Sequence, residues 1–359
     1  YEYEPFDEGQ SIMVGDIKVS ALNTPGHSPD SITIVAEKEG KTALFTGDTL
    51  FIGDVGRPDL REKAGNMTAK RQELAEMMYD TIQNKFKDLP DGALVYPAHG
   101  AGSLCGKNLS SDNSSTLGNE RMGNWAFKPQ SKEEFVNTLL DSQPFIPSYF
   151  GFDVDTNRHG AENLRTSIAK VPLQLNTSIS GLIVDVRDEI EFKKGHLPGS
   201  INIMAVSENS KFETWLGAIV NPEEPFSLVI DKPDDMEKIL ERVAKIGYEK
   251  QVKLVLTLDE TGLVQSDKLD LTHFKNNLDE YTIVDIRNQS ETDQGKYFES
   301  ALTIPLNDLR ASSTQIPNNK PIIVHCAGGY RSSAGSSIIE SFSDNVQVYD
   351  LGENINDFI

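Results

Sequence analysis

The chain of 359 residues has little cysteine and no long hydrophobic run. Its two cysteines, Cys105 and Cys326, are too few for the disulfide framework of a small secreted protein. We therefore expect a reducing, cytoplasmic compartment. No apolar stretch approaches the roughly 18 residues that cross a bilayer, which excludes a membrane-spanning protein.

Positive charge is also scarce. There are 34 Lys and Arg residues against 55 Asp and Glu residues, so the formal net charge is −21. Because nucleic acids and anionic membranes would repel such a chain, neither is expected as a partner. Hydrophobic residues make up 38% and charged residues 25%, which is typical of a globular protein. At about 150 residues per domain, the length predicts two or three domains.

The second half of the chain contains an internal repeat. Residues 182–187 (LIVDVR) and 282–287 (TIVDIR) are both β-branched runs that end in Asp-x-Arg. Further strands at 227–231 and 322–326 are each followed by a helical segment. Strands that alternate with helices predict α/β units on a parallel sheet.

We therefore predict three domains: 1–162, then a first repeat at 163–265 and a second repeat at 266–359. In the first domain, strands are predicted at 17–22, 31–37, 42–46 and 93–96, with helices at 70–87 and Lys132–Leu140. The apolar side chains placed on one face of the first helix are Leu74, Met77, Met78, Ile82 and Phe86. Trp125 and Trp215 are expected to anchor cores.

Three short motifs in the first domain follow predicted strands. They are TPGHSPDS (24–31), TGDTLF (46–51) and YPAHGAG (96–102), and they carry His27, Asp48 and His99. Each residue alone could be a helix cap or a surface group. Imidazole and carboxylate groups from separate loops can also converge on one metal ion. The three together favour a metal site.

In this order, TPGH, GD and PAHG resemble the metallo-β-lactamase superfamily, over residues 1 to about 160. The resemblance implies an αββα sandwich, N-terminally incomplete here. Members of that superfamily carry further ligands in an HxHxDH motif, which none of the six histidines of this chain forms. We therefore expect the natural protein to be longer and the metal site to be incomplete in this sequence.

The stretches TLFIGDVGRPDL and YPAHGAGSLCGK are similar to the persulfide dioxygenase branch. That resemblance implies one non-haem iron(II) per domain, held by two histidines and one aspartate. His27 and Asp48 match two of these ligands, and the third is a histidine outside this sequence. His99 would lie beside the metal rather than bind it. Such a site leaves open positions for dioxygen and a substrate sulfur.

Two further features belong to these stretches. Arg57 and Asp59 match a loop near the metal, where Arg57 could steer an anionic thiol carrier. The alternative is that the two residues pair with each other and hold the loop. Cys105 is either a redox-sensitive thiol near the metal or a packed small residue, and we favour the second interpretation.

The most specific motif is VHCAGGYRSSA (324–334). A strand ends at Cys326, and a short loop leads into a helix. Gly328 and Gly329 allow a tight turn, so that backbone N–H groups point at the sulfur. The helix N-terminus and Arg331 add positive charge, and all three effects favour the thiolate nucleophile. The alternative is a buried structural cysteine.

This motif resembles the rhodanese sulfurtransferases, over residues 266–359. The resemblance implies that Cys326 carries a sulfane sulfur as a persulfide, with Arg331 beside it. The loop residues expected to hold the persulfide or an anionic substrate are Ala327, Gly328, Gly329, Tyr330 and Ser332. Asp285 and Arg287 match the strand end of that family and are expected to form a buried ion pair.

The first repeat departs from this pattern. Asp231 stands where Cys326 stands in the second repeat, and the residues that follow include Asp234 and Asp235 but no glycine. A carboxylate cannot accept a sulfane sulfur, and the negative charge would repel an anion. We expect an inactive domain that acts as a spacer or docking surface. Its residues Asp185, Arg187 and His196 are interpreted as structural.

Together the domains resemble persulfide dioxygenase–sulfurtransferase fusions of sulfide detoxification. The implied reaction oxidises a small thiol persulfide to sulfite with dioxygen, and Cys326 then transfers sulfur to give thiosulfate. The thiol carrier and the direction of transfer stay open, and a homo-oligomer is expected. One alternative is a zinc hydrolase of glyoxalase II type in which Asp48 bridges two metals and His99 is a ligand. Another is a non-enzymatic sulfur carrier or sensor.

Overall fold

The computed structural model describes residues 4–61, 71–101, 103–107, 109–141, 143–175, 179–207, 210–259, 261–343 and 346–359. The chain divides into two compact units, Tyr1–Ile146 and Pro147–Ile359. Within the described residues, no helix is both long and apolar enough to cross a membrane.

The first unit is built on a mixed sheet. Its strands are β1 (Ser11–Val14), β2 (Ile17–Asn23), β3 (Ile32–Lys38), β4 (Lys41–Gly47), β5 (Leu94–Pro97) and β6 (Ser115–Thr116). They lie side by side in chain order, antiparallel from β1 to β4, with β5 parallel to β4 and β6 antiparallel to β5. Strands β2, β4 and β5 therefore run in the same direction, and the loops after them emerge at one edge.

Three helices pack on this sheet: α1 (Arg71–Asn84), α2 (Leu117–Gly123) and α3 (Lys132–Leu140). A shared core joins Leu44 of the sheet to Met78 of α1 and Phe135 of α3, all completely buried. The bounds of α3 are those predicted. A capping box fixes its start, because Ser131 and Glu134 each accept the other's backbone N–H, at 3.1 and 2.8 Å.

The prediction for α1 was wrong in detail. Met77 is 39% exposed, and the buried face instead includes Ala75 and Thr81. The buried positions 74, 75, 78, 81 and 82 follow the spacing of one helical face, and position 77 lies beside it. Phe86 is buried but lies beyond the last helical residue, Asn84. Residue 70 lies outside the described residues.

The second unit starts earlier in the chain than the predicted first repeat. Its first helices are α4 (Tyr149–His159) and α5 (Leu164–Ile168). The ring of Phe152 lies 5.9 Å from the ring of Tyr248, and Ser148 Oγ donates to the Gly217 carbonyl at 2.9 Å. Because α4 packs on the first repeat, the compact unit begins at Pro147, whereas the predicted first domain extends to residue 162.

The first repeat is a parallel α/β sheet. Its strands are β7 (Leu173–Leu175), β8 (Leu182–Asp185), β9 (Ile201–Asn202), β10 (Phe226–Val229) and β11 (Val252–Thr257). They lie in the order β7-β11-β10-β8-β9. The connecting helices are α6 (Glu189–Lys194), α7 (Phe212–Ile219) and α8 (Met236–Ala244).

The second repeat has the same plan. Its strands are β12 (Thr282–Asp285), β13 (Leu302–Thr303), β14 (Ile322–His325) and β15 (Val348–Asp350), in the order β13-β12-β14-β15. Its helices are α9 (Leu271–Asn276), α10 (Gln289–Asp293), α11 (Leu309–Ser312) and α12 (Tyr330–Phe342). The paired strands are parallel, as predicted.

The two repeats are joined by polar contacts along α12. Ser333 Oγ donates to the amide oxygen of Asn202 at 2.5 Å, and the backbone N–H of Asn202 donates to Ser337 Oγ at 3.0 Å. Elsewhere, Arg310 donates to both carboxylate oxygens of Glu224, at 2.9 and 2.8 Å. The repeats are therefore held in one arrangement within this unit.

Candidate functional site

The three predicted metal-site residues of the first unit come together at one sheet edge. His27, Asp48 and His99 follow β2, β4 and β5, the three strands that point the same way. The Nε2 atom of His27 lies 3.6 Å from Oδ2 of Asp48, and Nδ1 of His99 lies 2.6 Å from Oδ1. The sheet topology therefore explains why residues so far apart in sequence share a site.

The loop that carries His27 is tightly packed. Gly26 has φ of +150°, and a Cβ there would lie 2.7 Å from atoms of Met78, so only glycine fits. The Nδ1 atom of His27 is 2.9 Å from the carbonyl oxygen of Arg57, to which it donates in the tautomer that presents Nε2 to Asp48. A backbone acceptor on one ring nitrogen is the usual way to orient the other as a metal ligand.

Asp48 lies between two imidazoles. Burial would raise the pKa of its carboxyl group, but the hydrogen bond to His99 and the nearby His27 lower it overall. The same hydrogen bond, with a further one to Cys105, raises the pKa of His99 to about 10. Asp48 is thus a carboxylate at neutral pH, the form that binds a metal.

The thiol of Cys105 lies beside Asp48 and His99, whereas the interpretation that we favour from the sequence makes it a packed small residue. One ligand atom each of Asp48, His99 and Cys105 lies within 4.8 Å of the others. The loop is fixed nearby, because the Arg57 N–H donates to the Cys105 carbonyl at 3.0 Å. The geometry therefore matches the alternative interpretation, a thiol beside the metal site.

Arg57 and Asp59 form a buried ion pair. The guanidinium donates to both oxygens of Asp59, at 2.7 and 2.6 Å, and to the carbonyl of Leu104 at 3.1 Å. The side chain of Arg57 is 1% exposed. This corrects the expectation that Arg57 faces a thiol carrier, since its charge is neutralised and enclosed. The pair instead holds the loop whose carbonyl orients His27.

These residues fit a metal ion. Two donor atoms at about 2.1 Å from one ion are roughly 3–3.5 Å apart, close to the 3.6 Å between His27 Nε2 and Asp48 Oδ2. Imidazole and carboxylate suit iron(II) and zinc alike. His27 and Asp48 would hold the ion, and His99 and Cys105 lie next to Asp48.

The second candidate site is the loop after β14. Gly329, with φ of +101°, turns the chain into α12, and its backbone N–H donates to the Sγ atom of Cys326 at 3.1 Å. A Cβ at Gly329 would lie 3.1 Å from the backbone nitrogen of Glu353, so the turn needs glycine. A backbone amide thus stabilises negative charge on the sulfur, as the motif predicted.

Arg331 lies beside the sulfur but is not unpaired. It donates to both carboxylate oxygens of Glu291, at 2.6 and 2.7 Å. Burial would lower the pKa of Arg331, but the Glu291 carboxylate and the Cys326 sulfur raise it overall. Burial likewise favours a neutral Glu291, yet Arg331 lowers the pKa of that carboxyl overall. Both groups are therefore charged near neutral pH.

The loop residues do not all face the sulfur. Gly328 and Tyr330 line the cavity above Cys326, together with Arg331. Ala327 is not among the residues that line it. Ser332 is completely buried, and its N–H and its hydroxyl both point at the Gly329 carbonyl, at 3.2 and 2.7 Å. This corrects the prediction that Ser332 holds the substrate, because its donors close the first turn of α12.

The Asp-x-Arg pairs are present in both repeats. Arg287 donates to Asp285 at 2.6–3.0 Å and to the Gly295 carbonyl at 2.9 Å, in a buried position. Arg187 makes the equivalent contacts with Asp185 at 2.7–3.2 Å. His196 is 2% exposed and stacks on Phe192, and burial lowers its pKa.

The corresponding loop of the first repeat lacks the cradle. The side chain of Asp231 is half-exposed, and its Oδ2 atom lies 3.8 Å from Nζ of Lys232. A 3₁₀ turn, Pro233–Asp235, begins two residues after Asp231. Proline has no N–H to offer. Nothing in this loop replaces the sulfur or the glycine turn of the second repeat.

Sequence reasoning missed Glu291 and the neighbours that the first repeat contributes, Lys211 and Trp215. The sequence repeat could have pointed to Glu291, because Glu291 follows Asp285 at the same spacing as Glu191 follows Asp185 in the first repeat. Trp215 was assigned only to a core. It is 5% exposed, but its ring also lies 5.9 Å from the Arg331 guanidinium carbon.

Two known protein families match this chain. The model of the metallo-beta-lactamase superfamily matches residues 2–99, and that of the rhodanese-like domain matches 168–256 and 270–354. A crystal structure of a metallo-beta-lactamase from Staphylococcus aureus subsp. aureus COL is 32% identical, covers 70% of each chain and has a TM-score of 0.59. The chain therefore belongs to the metallo-beta-lactamase superfamily and carries two rhodanese-like domains.

Two groups of curated relatives match part of the chain. The mitochondrial persulfide dioxygenase ETHE1 of Bos taurus is 33% identical over 93 residues, which are 26% of this chain and 32% of that protein. A hydroxyacylglutathione hydrolase of Dictyostelium discoideum is 33% identical over 135 residues, 36% and 45% of the two chains. The chain thus spans less than half the length of these relatives. The two groups bear the names of different enzymes, and these matches do not distinguish between them.

Proposed function

We propose that this protein oxidises a low-molecular-weight thiol persulfide to sulfite at an iron(II) site and transfers sulfane sulfur through Cys326, which yields thiosulfate. The observation that carries the proposal is the Cys326 cradle on the same chain as the His27–Asp48 pair. Sulfite made at one site is the acceptor at the other. The relatives named persulfide dioxygenase support the first half.

The two steps balance without a further oxidant. In the first, a persulfide RSSH, one dioxygen and one water give the thiol RSH, sulfite and two protons. In the second, the Cys326 thiolate first attacks the outer sulfur of another RSSH molecule, the S–S bond of RSSH breaks, and the thiolate RS⁻ leaves, so that Cys326 becomes a persulfide. The sulfur lone pair of sulfite then attacks the outer sulfur of that persulfide, its S–S bond breaks, and Cys326 leaves with the electron pair. The thiolate that leaves is stabilised by the Gly329 N–H and by Arg331.

The residues of the first unit prepare the oxidation site. When bound, iron(II) supplies a centre at which dioxygen and a substrate sulfur can meet. His27 is oriented by the Arg57 carbonyl, and Asp48 supplies a carboxylate. His99, beside Asp48, is placed to hold or donate a proton near the substrate. A cytoplasmic location and a homo-oligomer stay predictions.

Oxygen uptake tests the proposal. The full-length protein is purified, loaded with iron(II) and given glutathione persulfide, and sulfite and thiosulfate are measured. We expect uptake with thiosulfate as product, and a shift to sulfite in Cys326→Ser. Asp48→Asn abolishes uptake and lowers bound iron, while the control His159→Ala, on the exposed end of α4, changes neither. Absence of uptake, with Cys326 still accepting sulfur, would overturn the oxidation and leave a sulfurtransferase with a metal-hydrolase or docking domain.

A zinc hydrolase is the second candidate. It is favoured by the position of His99 next to Asp48, where the imidazole could become a ligand of a second metal, and by the hydroxyacylglutathione hydrolases among the relatives. Metal content distinguishes the two. A mononuclear iron site keeps its metal in His99→Ala, whereas a dinuclear zinc site loses about half, and thioester hydrolysis replaces oxygen uptake.

A further inference from the structure

A cavity of about 560 Å³ lies above Cys326 and has walls from both repeats. The second repeat contributes Cys326, Glu291 and Arg331, and the first contributes Ser210, Lys211 and Trp215. The inactive repeat therefore builds part of the site at which sulfur is transferred.

The charges that line this cavity do not attract an anion without Lys211. Arg331 and Glu291 form an ion pair with two hydrogen bonds, so the positive charge of the one is balanced by the negative charge of the other. A thiolate or persulfide at Cys326 leaves the second-repeat wall net negative. Among the lining residues, Lys211 is the other cation, and no ion pair of it with a described residue is present. Its exposed ammonium is available to a ligand.

Hydrogen bonds of the neighbouring residues fix the backbone at Lys211. It directly precedes α7, and its carbonyl accepts the N–H of Trp215 at 3.1 Å. The buried Arg242 donates to the Ser210 carbonyl at 2.9 Å and to the Glu213 carboxylate at 2.8 and 2.9 Å. The residues on both sides of Lys211 are thus tied to α8.

We infer that Lys211 of the first repeat is a specificity-determining residue for small sulfur oxyanions at Cys326. The inference rests on the proposed sulfur transfer. The ammonium binds the oxyanion oxygens of sulfite as its sulfur approaches the Cys326 persulfide, and the apolar ring of Trp215 strengthens this attraction by excluding water. The bond changes are those of the transfer step given above, and Lys211 exchanges no proton.

A single-turnover experiment isolates this role. Cys326 is loaded with sulfur from inorganic polysulfide, the loading is verified by mass spectrometry, and the protein is mixed with either sulfite or the uncharged thiol dithiothreitol. The variants are Lys211→Gln and Lys211→Arg. The control is Lys253→Gln, an exposed lysine on β11 of the same repeat that does not line the cavity.

With sulfite, we expect Lys211→Gln to raise the half-saturating concentration about tenfold, as for the loss of one charge-assisted hydrogen bond. With dithiothreitol the rate stays near that of the wild type. Lys211→Arg restores most of the sulfite affinity, and Lys253→Gln behaves as the wild type.

Equal losses with both acceptors would make Lys211 a structural residue and overturn the inference, as would an unchanged sulfite dependence. Failure of the wild-type protein to load sulfur, or to pass it to either acceptor, would overturn the proposed transfer itself. The two failures are therefore distinguishable.

Discussion

The hydroxyl of Tyr330 donates to the carbonyl oxygen of Met204 at 2.8 Å and so ties the first residue of α12 to the first repeat. Burial raises the pKa of Tyr330 to about 12, so the hydroxyl stays a donor at any working pH. Because Tyr330 directly follows Gly329, this bond fixes the Cys326 loop from outside its own domain. The first repeat is thus a structural part of the Cys326 site.

Removal of that hydroxyl tests the connection. Tyr330→Phe leaves the Met204 carbonyl without this donor, and we expect a loss of about 1 kcal/mol in the free energy of unfolding of the second unit. Sulfur transfer should fall as the loop loosens. Urea denaturation measures the first effect. Tyr349→Phe, whose hydroxyl contacts the exposed Gln347, is the control and should change little. Equal effects of both variants would contradict the assignment.

The Arg57–Asp59 pair makes a prediction for the first unit. Arg57→Met leaves the buried Asp59 carboxylate without its partner, and we expect about 3 kcal/mol of destabilisation. Bound metal should fall as well, since the loop that orients His27 moves. Thermal unfolding and metal analysis check the two effects. The control Lys18→Met breaks an exposed pair with Glu37 and should cost under about 1 kcal/mol.

Should Arg57→Met retain both its stability and its metal, the pair does not hold the loop. A variant that is stable but metal-free would separate ligand orientation from folding.

Local patterns explain what could be predicted from the sequence. The motifs that carry His27, Asp48 and Cys326 were visible because each of these residues comes at or shortly after the end of a predicted strand and lies within two residues of a glycine. The helix Lys132–Leu140 was predicted with its observed bounds, because its capping residues are neighbours in sequence.

Tertiary contacts explain what was missed. Lys211 and Cys326 are brought together only by the packing of two domains, which no periodicity reports. The side chain of Arg57 could be either exposed or paired on sequence grounds, and only its burial decides. The fold class and the local motifs were therefore predictable, whereas the second wall of the sulfur site was not.

The inactivity of the first repeat can be challenged directly. We expect Asp231→Cys, in a Cys326→Ser background, to accept no sulfane sulfur, because Pro233 follows where the second repeat has its glycine turn. Mass spectrometry after treatment with polysulfide would show whether one sulfur atom is added. The wild-type protein, which retains Cys326, is treated in the same way as the positive control. Stable addition at position 231 would mean that the cysteine alone suffices.

We expect Asp153 on α4 to make the free energy of unfolding depend on pH. Burial, and then repulsion from Glu249, raise the pKa of its carboxyl group from 3.8 to about 6. Between these values the folded chain holds a proton that the unfolded chain has lost. The free energy of unfolding therefore falls as pH rises from about 4 to about 6 and is not recovered above.

Asp153→Asn removes this loss. We expect the variant to be more stable than the wild type at pH 7.5 by about 1 kcal/mol, after allowance for solvent screening of a half-buried group, and equal to it near pH 4. Thermal unfolding across this pH range should show a difference of a few degrees that opens between pH 4 and 6. Asp155→Asn, exposed on the same helix, should show no such opening. A stabilisation by Asp153→Asn that is constant with pH would instead indicate better packing of α4 on the first repeat.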